Sequence, residues 1–177
     1  LVEQNDKLSK ILRDAINSSL DGGIILLGAT PSRAETGYGY IKFNQTKSKN
    51  WFAVSQFVEK PSKEKSVNYV NSGNYFWNSG MFILKAKLWL DALEKINNEM
   101  FTSAQECWKS KMKDDAFIRF NKDKFDSMPS DSIDYAVMEK LIDNGFFVEM
   151  VQLDAGWDDL GSWKSVKKYH SSDNYKN

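Results

Sequence analysis

The sequence has almost none of the side chains that cross-link a chain or hold a transition metal: its 177 residues include one cysteine, Cys107, and one histidine, His170. A single cysteine builds no intrachain disulfide and no cysteine-based zinc site, which favours a reducing compartment, the cytoplasm. A single histidine in a polar tail excludes a histidine-based triad or zinc site within the chain. Charge of one sign is not in excess either, because 24 Lys+Arg balance 24 Asp+Glu. Without a basic field no phosphate polymer is held, so nucleic acid is not an expected partner, although a small phosphate site is compatible with neutrality. No apolar run reaches the roughly 18 residues of a membrane span. Leu1 to Leu20 carries charge throughout, without the basic-then-apolar order of a signal peptide. No internal repeat, low-complexity tract or linker divides the chain.

With 41% hydrophobic, 14% aromatic and 27% charged residues, the chain can bury a core, and residues 1–177 read as one domain. Leu8, Ile11, Leu12, Ala15 and Ile16 recur at helical spacing after the possible caps Asn5 or Asp6, with Gly22 and Gly23 as the stop. Ile24 to Leu27 is a continuous apolar run between glycines, the pattern of a strand covered on both faces. Tyr38 to Phe43 and Trp51 to Val58 read as strands joined by a polar loop at 44–50. Ser62 caps a helix that Gly73 ends. Tyr75 to Trp77 and Met81 to Leu84 read as two strand pieces around the turn Asn78-Ser79-Gly80. Helices follow at Leu88 to Ile96 and Ser103 to Met112, while 109–126 follows no clear period. Ser130 or Asp131 can cap a helix over Ile133 to Asp143, and Phe146 to Leu153 is the last strand, ahead of a short basic helix to about Tyr169. Strands alternating with helices indicate an α/β fold.

Four segments can carry chemistry. Gly37 and Gly39 flank Tyr38 at the entrance to a strand, which permits close approach of a ligand to the backbone and equally suits a bend packed by tyrosines. Glu59 and Lys60 end a strand, where open α/β sheets expose side chains into a ligand crevice. The carboxylate can accept sugar hydroxyl hydrogens and the ammonium can face phosphate; the alternative is two solvated charges. Asn78 offers an amide donor and acceptor beside Gly80, or an ordinary turn. Asp158 and Asp159, between Trp157 and Trp163, offer oxygens that suit Mg²⁺, unless Asp159 or Ser162 only caps the last helix.

In order and spacing, GATPSRAETGYGYI (28–41), FVEKP (57–61), YFWNSGMF (75–82), SIDYAVMEK (132–140) and GWDDLGSW (156–163) resemble the mannose-1-phosphate guanylyltransferases, or GDP-mannose pyrophosphorylases, of the bacterial type. The resemblance covers about Leu1 to Tyr169. It implies a nucleotidyltransferase domain with a Rossmann-like mixed sheet, dependence on Mg²⁺, and conversion of GTP and mannose 1-phosphate to GDP-mannose and pyrophosphate for polysaccharide biosynthesis. It also implies that Gly37, Gly39, Glu59, Lys60 and Asn78 bind the sugar phosphate, with Lys60 and Asp159 catalytic and Asp159 the metal ligand. To Asp134 through Lys140 it assigns no chemical step.

Two departures stand out. Ala34 replaces the proline usual before Glu35, which loosens that loop without removing a functional group. The family's first strand, its glycine-rich loop with basic residues and a later aspartate sharing the metal have no counterpart in the sequence. The expectation is therefore the sugar-phosphate half of a domain, lacking its N-terminal nucleotide-binding part and inactive alone. A free edge beside Leu26 and Leu27 would favour a homo-oligomer. The rival readings are a nucleotidyltransferase for another hexose 1-phosphate and a non-catalytic sugar-phosphate-binding relative.

Overall fold

The computed structural model of the chain describes residues 1–48, 50–161 and 163–169. β1 (Ile24–Ala29) lies at the centre of a mixed sheet. It pairs in parallel with β7 (Val148–Gln152) and antiparallel with β4 (Tyr75–Ile83). β4 continues to β2 (Tyr40–Ser48), which forms a hairpin with β3 (Trp51–Val58). Trp51, Phe52 and Ala53 then pair back onto β7, so the order β1-β4-β2-β3-β7 closes on itself.

The apolar run of β1 is explained by its two faces. Ile24 and Leu26 point into one core with Ile41, Phe76 and Met150, backed by α3 (Ala86–Ile96) and the segment around Val137. Ile25 and Leu27 point the other way, under Ala15, Ile11 and Leu12 of α1 (Asn5–Ser19). All six residues of β1 are buried. The free edge expected at β1 is absent, because both of its sides are paired, and nothing at that position favours self-association.

Local signals hold where the chain acts locally. Ser62 accepts the Lys65 N–H and starts α2 (Lys63–Ser72), and Gly73 ends it in the left-handed conformation. α1, in contrast, starts after Gln4 with no side-chain cap, and Ile16 of the expected apolar face is 49% exposed. The polar stretch read as a loop is largely strand, since β2 runs to Ser48; Lys49 lies outside the described residues. β4 is one strand, not two pieces. The expected turn survives as a bulge, with Leu26 opposite Phe82 but Gly28 opposite Asn78.

α4 (Asn98–Lys109) begins five residues earlier than expected, because Asn97 caps it through the Met100 N–H. The stretch without clear period forms an exposed hairpin of β5 (Met112–Asp114) and β6 (Phe117–Arg119), followed by α5 (Lys122–Asp126). The helix expected over 133–143 breaks. α6 (Ile133–Ala136), capped by Ser132 rather than Ser130 or Asp131, stops at Val137, and a 3₁₀ turn follows at Met138–Lys140. α7 (Trp163–Tyr169) ends the described chain. No helix among the described residues is long and apolar enough to cross a membrane.

Candidate active site

The start of β2 and the end of β3 meet the bulged middle of β4, and the close approach is made at Gly39. A Cβ there would lie 2.4 Å from Glu59 Oε2, 3.1 Å from Asn78 Cβ and 3.3 Å from Phe57 Cζ. The Asn78 N–H donates to the Gly39 carbonyl at 2.8 Å and locks the two strands at this point. Gly37 meets no such constraint, since its Cβ would contact only Glu35 Oε1 at 3.6 Å. Of the two glycines, Gly39 is the one the packing requires.

Glu59 follows β3 directly, with a side chain only 9% exposed, and its Oε2 has no hydrogen-bond partner. Burial pushes its carboxyl up from the ordinary range and the neighbouring Asp134 adds to this, while Lys60 pulls it down and Glu139 contributes a smaller upward push. Lys60 Nζ stands 3.4 Å from Glu59 Oε1 on a half-exposed side chain. The Lys60 backbone has φ 46°, a left-handed conformation that costs a non-glycine residue about 1–3 kcal/mol. The chain therefore turns sharply where the acid and base meet, leaving the ammonium facing outward.

Two carboxylates reach this cluster from the broken helix. Asn78 Nδ2 donates to Asp134 Oδ1 at 3.1 Å, and the Glu59 N–H donates to Glu139 Oε1 at 2.6 Å. The sequence offered no role for either; the signals were two acids in an otherwise apolar segment and that segment's place among the motifs of the family resemblance. That segment also packs, since Ala136, Val137, Met138 and Leu141 are buried in the core.

Asp159 stands apart from this cluster and is joined to it through Tyr38. The Tyr38 hydroxyl donates to Asp159 Oδ1 at 2.5 Å, and the Gly161 N–H donates to the same oxygen at 3.2 Å. The Tyr38 ring is held edge-on by Trp77 at 5.2 Å and Trp157 at 5.6 Å between centroids. Burial and the bond to Asp159 push the Tyr38 hydroxyl well above its ordinary range, so it stays a donor. Asp158 instead accepts the Leu160 N–H, so the two aspartates are told apart by their partners. Ser162, the alternative cap, and His170 lie outside the described residues.

The loop leading to Gly39 is folded on itself. The Tyr40 hydroxyl both accepts the Glu35 N–H and donates to the Glu35 carbonyl, each at 2.9 Å. Glu35 in turn takes the Gly37 N–H and pairs with Arg33, whose guanidinium lies over the Trp77 ring at 5.4 Å. A buried acid at the end of β3, an amide within β4 and a half-exposed ammonium can recognise a small polyhydroxy ligand bearing phosphate.

A family model described as nucleotidyl transferase matches residues 2–175. The chain belongs to this family. Among curated relatives, the xanthan biosynthesis protein XanB of Xanthomonas campestris (strain B100) is 43% identical over 156 residues, which are 88% of this chain and 32% of that protein. The mannose-1-phosphate guanylyltransferase RfbM of Salmonella typhimurium is 36% identical over the whole chain and 36% of its own length. The mannose-1-phosphate guanylyltransferase of Escherichia coli K12 is 36% identical over 94% of this chain and 35% of its own. The chain thus spans about a third of the length of these relatives.

Among solved structures, that titled mannose-6-phosphate isomerase from Helicobacter pylori superposes with a TM-score of 0.80 at 26% identity, covering 90% of this chain and 61% of that one. That titled mannose-1-phosphate geranyltransferase from Thermus thermophilus gives 0.79 at 25%, covering 97% and 48%.

In this chain no three His, Cys, Asp or Glu side chains converge as a metal cage among the described residues. Asp159 fits the lesser demand of Mg²⁺, which takes one or two protein carboxylates and completes its shell with water and substrate phosphate.

Proposed function

We propose that the protein to which this chain belongs is a mannose-1-phosphate guanylyltransferase, converting GTP and mannose 1-phosphate to GDP-mannose and pyrophosphate. The observation that carries this reading is the convergence of Gly39, Glu59 and Asn78 beside Lys60, in a chain whose relatives are named for that reaction. A phosphate oxygen of the sugar phosphate attacks the α-phosphorus of GTP in line, the bond from α-phosphorus to its bridging oxygen breaks, and pyrophosphate leaves. Positioning and charge neutralisation do most of the work in such transfers.

In this proposal Glu59, acceptor-only when ionised, takes hydroxyl hydrogens of the sugar, and Asn78 orients a neighbouring hydroxyl. Gly37 and Gly39 let the ligand approach the backbone. Lys60 neutralises the sugar phosphate. Asp159 would hold Mg²⁺, which when bound neutralises the charge on the phosphates. Tyr38 holds the Asp159 carboxylate through the bond from its hydroxyl. Cytoplasmic location belongs to the same proposal. With β1 paired on both sides, no edge there supports the expected homo-oligomer, and light scattering of the full-length protein decides it.

Steady-state kinetics of the full-length protein, varying GTP, mannose 1-phosphate and Mg²⁺ in turn, test the roles. Lys60→Ala removes a charge-assisted contact worth about 1.5–3 kcal/mol, so efficiency toward mannose 1-phosphate should fall about 10- to 150-fold. Glu59→Ala should weaken handling of the sugar and leave the apparent affinity for GTP nearly unchanged. Asp159→Ala should lower the rate and raise the Mg²⁺ requirement, and an unaltered metal dependence would remove that assignment. UTP, dTTP and other hexose 1-phosphates run beside GTP and mannose 1-phosphate; preference for another pair would replace the substrate reading, and no turnover with any would favour a binding protein.

A further inference from the structure

We infer that Asp134 and Glu139 are positioning residues that hold Asn78 and Glu59 in the one arrangement able to read a sugar hydroxyl, an assignment that rests on the sugar-phosphate reading of the site. An asparagine amide has nearly the same shape when its oxygen and nitrogen are exchanged, so its neighbours must choose between the two. The Gly80 N–H, a donor, faces Asn78 Oδ1 at 3.0 Å, and Asp134 Oδ1, an acceptor, faces Nδ2 at 3.1 Å. Both contacts demand the same orientation. They occupy one of the two Nδ2 hydrogens and leave the other as a donor for a ligand.

Across Gly39 lies the complementary group. Glu59 Oε2 is buried without a partner, and its backbone is held by the short bond from its N–H to Glu139 Oε1. Glu59 Oε2 and the Cβ of Asn78 are thus both among the nearest atoms to the missing Cβ of Gly39, so the two side chains that carry the acceptor and the donor meet at this glycine. One hydroxyl, or two adjacent ones, can accept from the Asn78 amide and donate to Glu59 Oε2.

The helix break is what lets one segment serve both residues. On a continuous α-helix, positions 134 and 139 would be rotated by about 140° from each other and face different directions. Val137, at φ −136° and fully buried, ends the first helical turn, and the 3₁₀ turn that follows carries Glu139 to the end of β3 while Asp134 stays at β4.

Kinetics of the full-length protein distinguish positioning from packing. Asp134→Leu should raise KM for mannose 1-phosphate about five- to tenfold, with kcat and KM for GTP within about twofold, because the lost hydrogen bond acts through Asn78 and the lost charge bears on Glu59, both on the sugar side of the site. Asp134→Asn, which keeps an acceptor oxygen, should restore most of that affinity, and Glu139→Gln should do so relative to Glu139→Leu. In an Asn78→Ala background Asp134→Leu should add less than about twofold, since coupled residues are not additive. Additive effects, an unchanged KM, or equal losses toward both substrates would overturn the assignment.

If the wild-type protein does not use mannose 1-phosphate, the functional reading fails, and positioning is still read from ¹⁵N NMR spectra of the full-length protein. The side-chain NH₂ pair of Asn78, identified by its loss in Asn78→Ala, should shift in Asp134→Leu. The Glu59 amide should likewise shift in Glu139→Leu. Unmoved signals would overturn the assignment independently of any substrate.

Discussion

Gly37 and Gly39 sit on either side of Tyr38 and look equivalent in the sequence, yet their surroundings differ sharply. Alanine at 39 would drive a methyl group into the Glu59 carboxylate and against Asn78 Cβ, whereas alanine at 37 makes one ordinary contact. Gly39→Ala should therefore cost about 1–3 kcal/mol of stability, as overpacking does, and raise KM for the sugar phosphate about tenfold or more by displacing Glu59. Gly37→Ala should stay within about 0.5 kcal/mol of the parent. Urea unfolding with parallel kinetics checks the pair, and equal effects at both positions would contradict the close approach. Composition hides this contrast, because only the fold brings Phe57, Glu59 and Asn78 to one of the two glycines.

At the scale of elements, the loop before β2 gains its shape from a residue inside the strand it precedes. Tyr40 is fully buried, and its hydroxyl serves both the N–H and the carbonyl of Glu35. Tyr40→Phe keeps the ring and leaves two backbone groups without that partner, so it should cost about 1–3 kcal/mol. Chemical denaturation measures this, and a loss below about 0.5 kcal/mol would show that water replaces the hydroxyl freely. α2 was legible in the sequence because its signals are local: a serine cap three residues before the N–H it accepts and a glycine stop. The break at Val137 was not legible. Ile133, Ala136, Val137 and Leu141 satisfy a helical period, and the period carries no mark of the Glu59 N–H, 80 residues away, that Glu139 reaches once the helix stops.

For the molecule as a whole, stability should be graded from the centre of the sheet outward. β1 is buried at every residue and paired on both sides, while β5 and β6 are exposed at every residue and pair only with each other. Hydrogen exchange should find the β1 amides opening only with global unfolding and those of 112–119 opening at little free-energy cost. Comparable protection in the two regions would show that the hairpin is docked rather than exposed. By itself the sequence determined the α/β class, a central strand at Ile24 to Leu27, and candidate chemistry in Gly39, Glu59, Lys60, Asn78 and Asp159, because apolar runs, capping residues and motif spacing are properties of neighbouring residues. Only the tertiary structure decided that the sheet closes through β3 and β7, that β4 bulges at Asn78, that Tyr38 reaches Asp159, and that Asp134 bonds to the Asn78 amide and Glu139 to the Glu59 N–H. Each of these depends on contacts between residues far apart in the chain, and such contacts leave no period or local preference for a sequence to display.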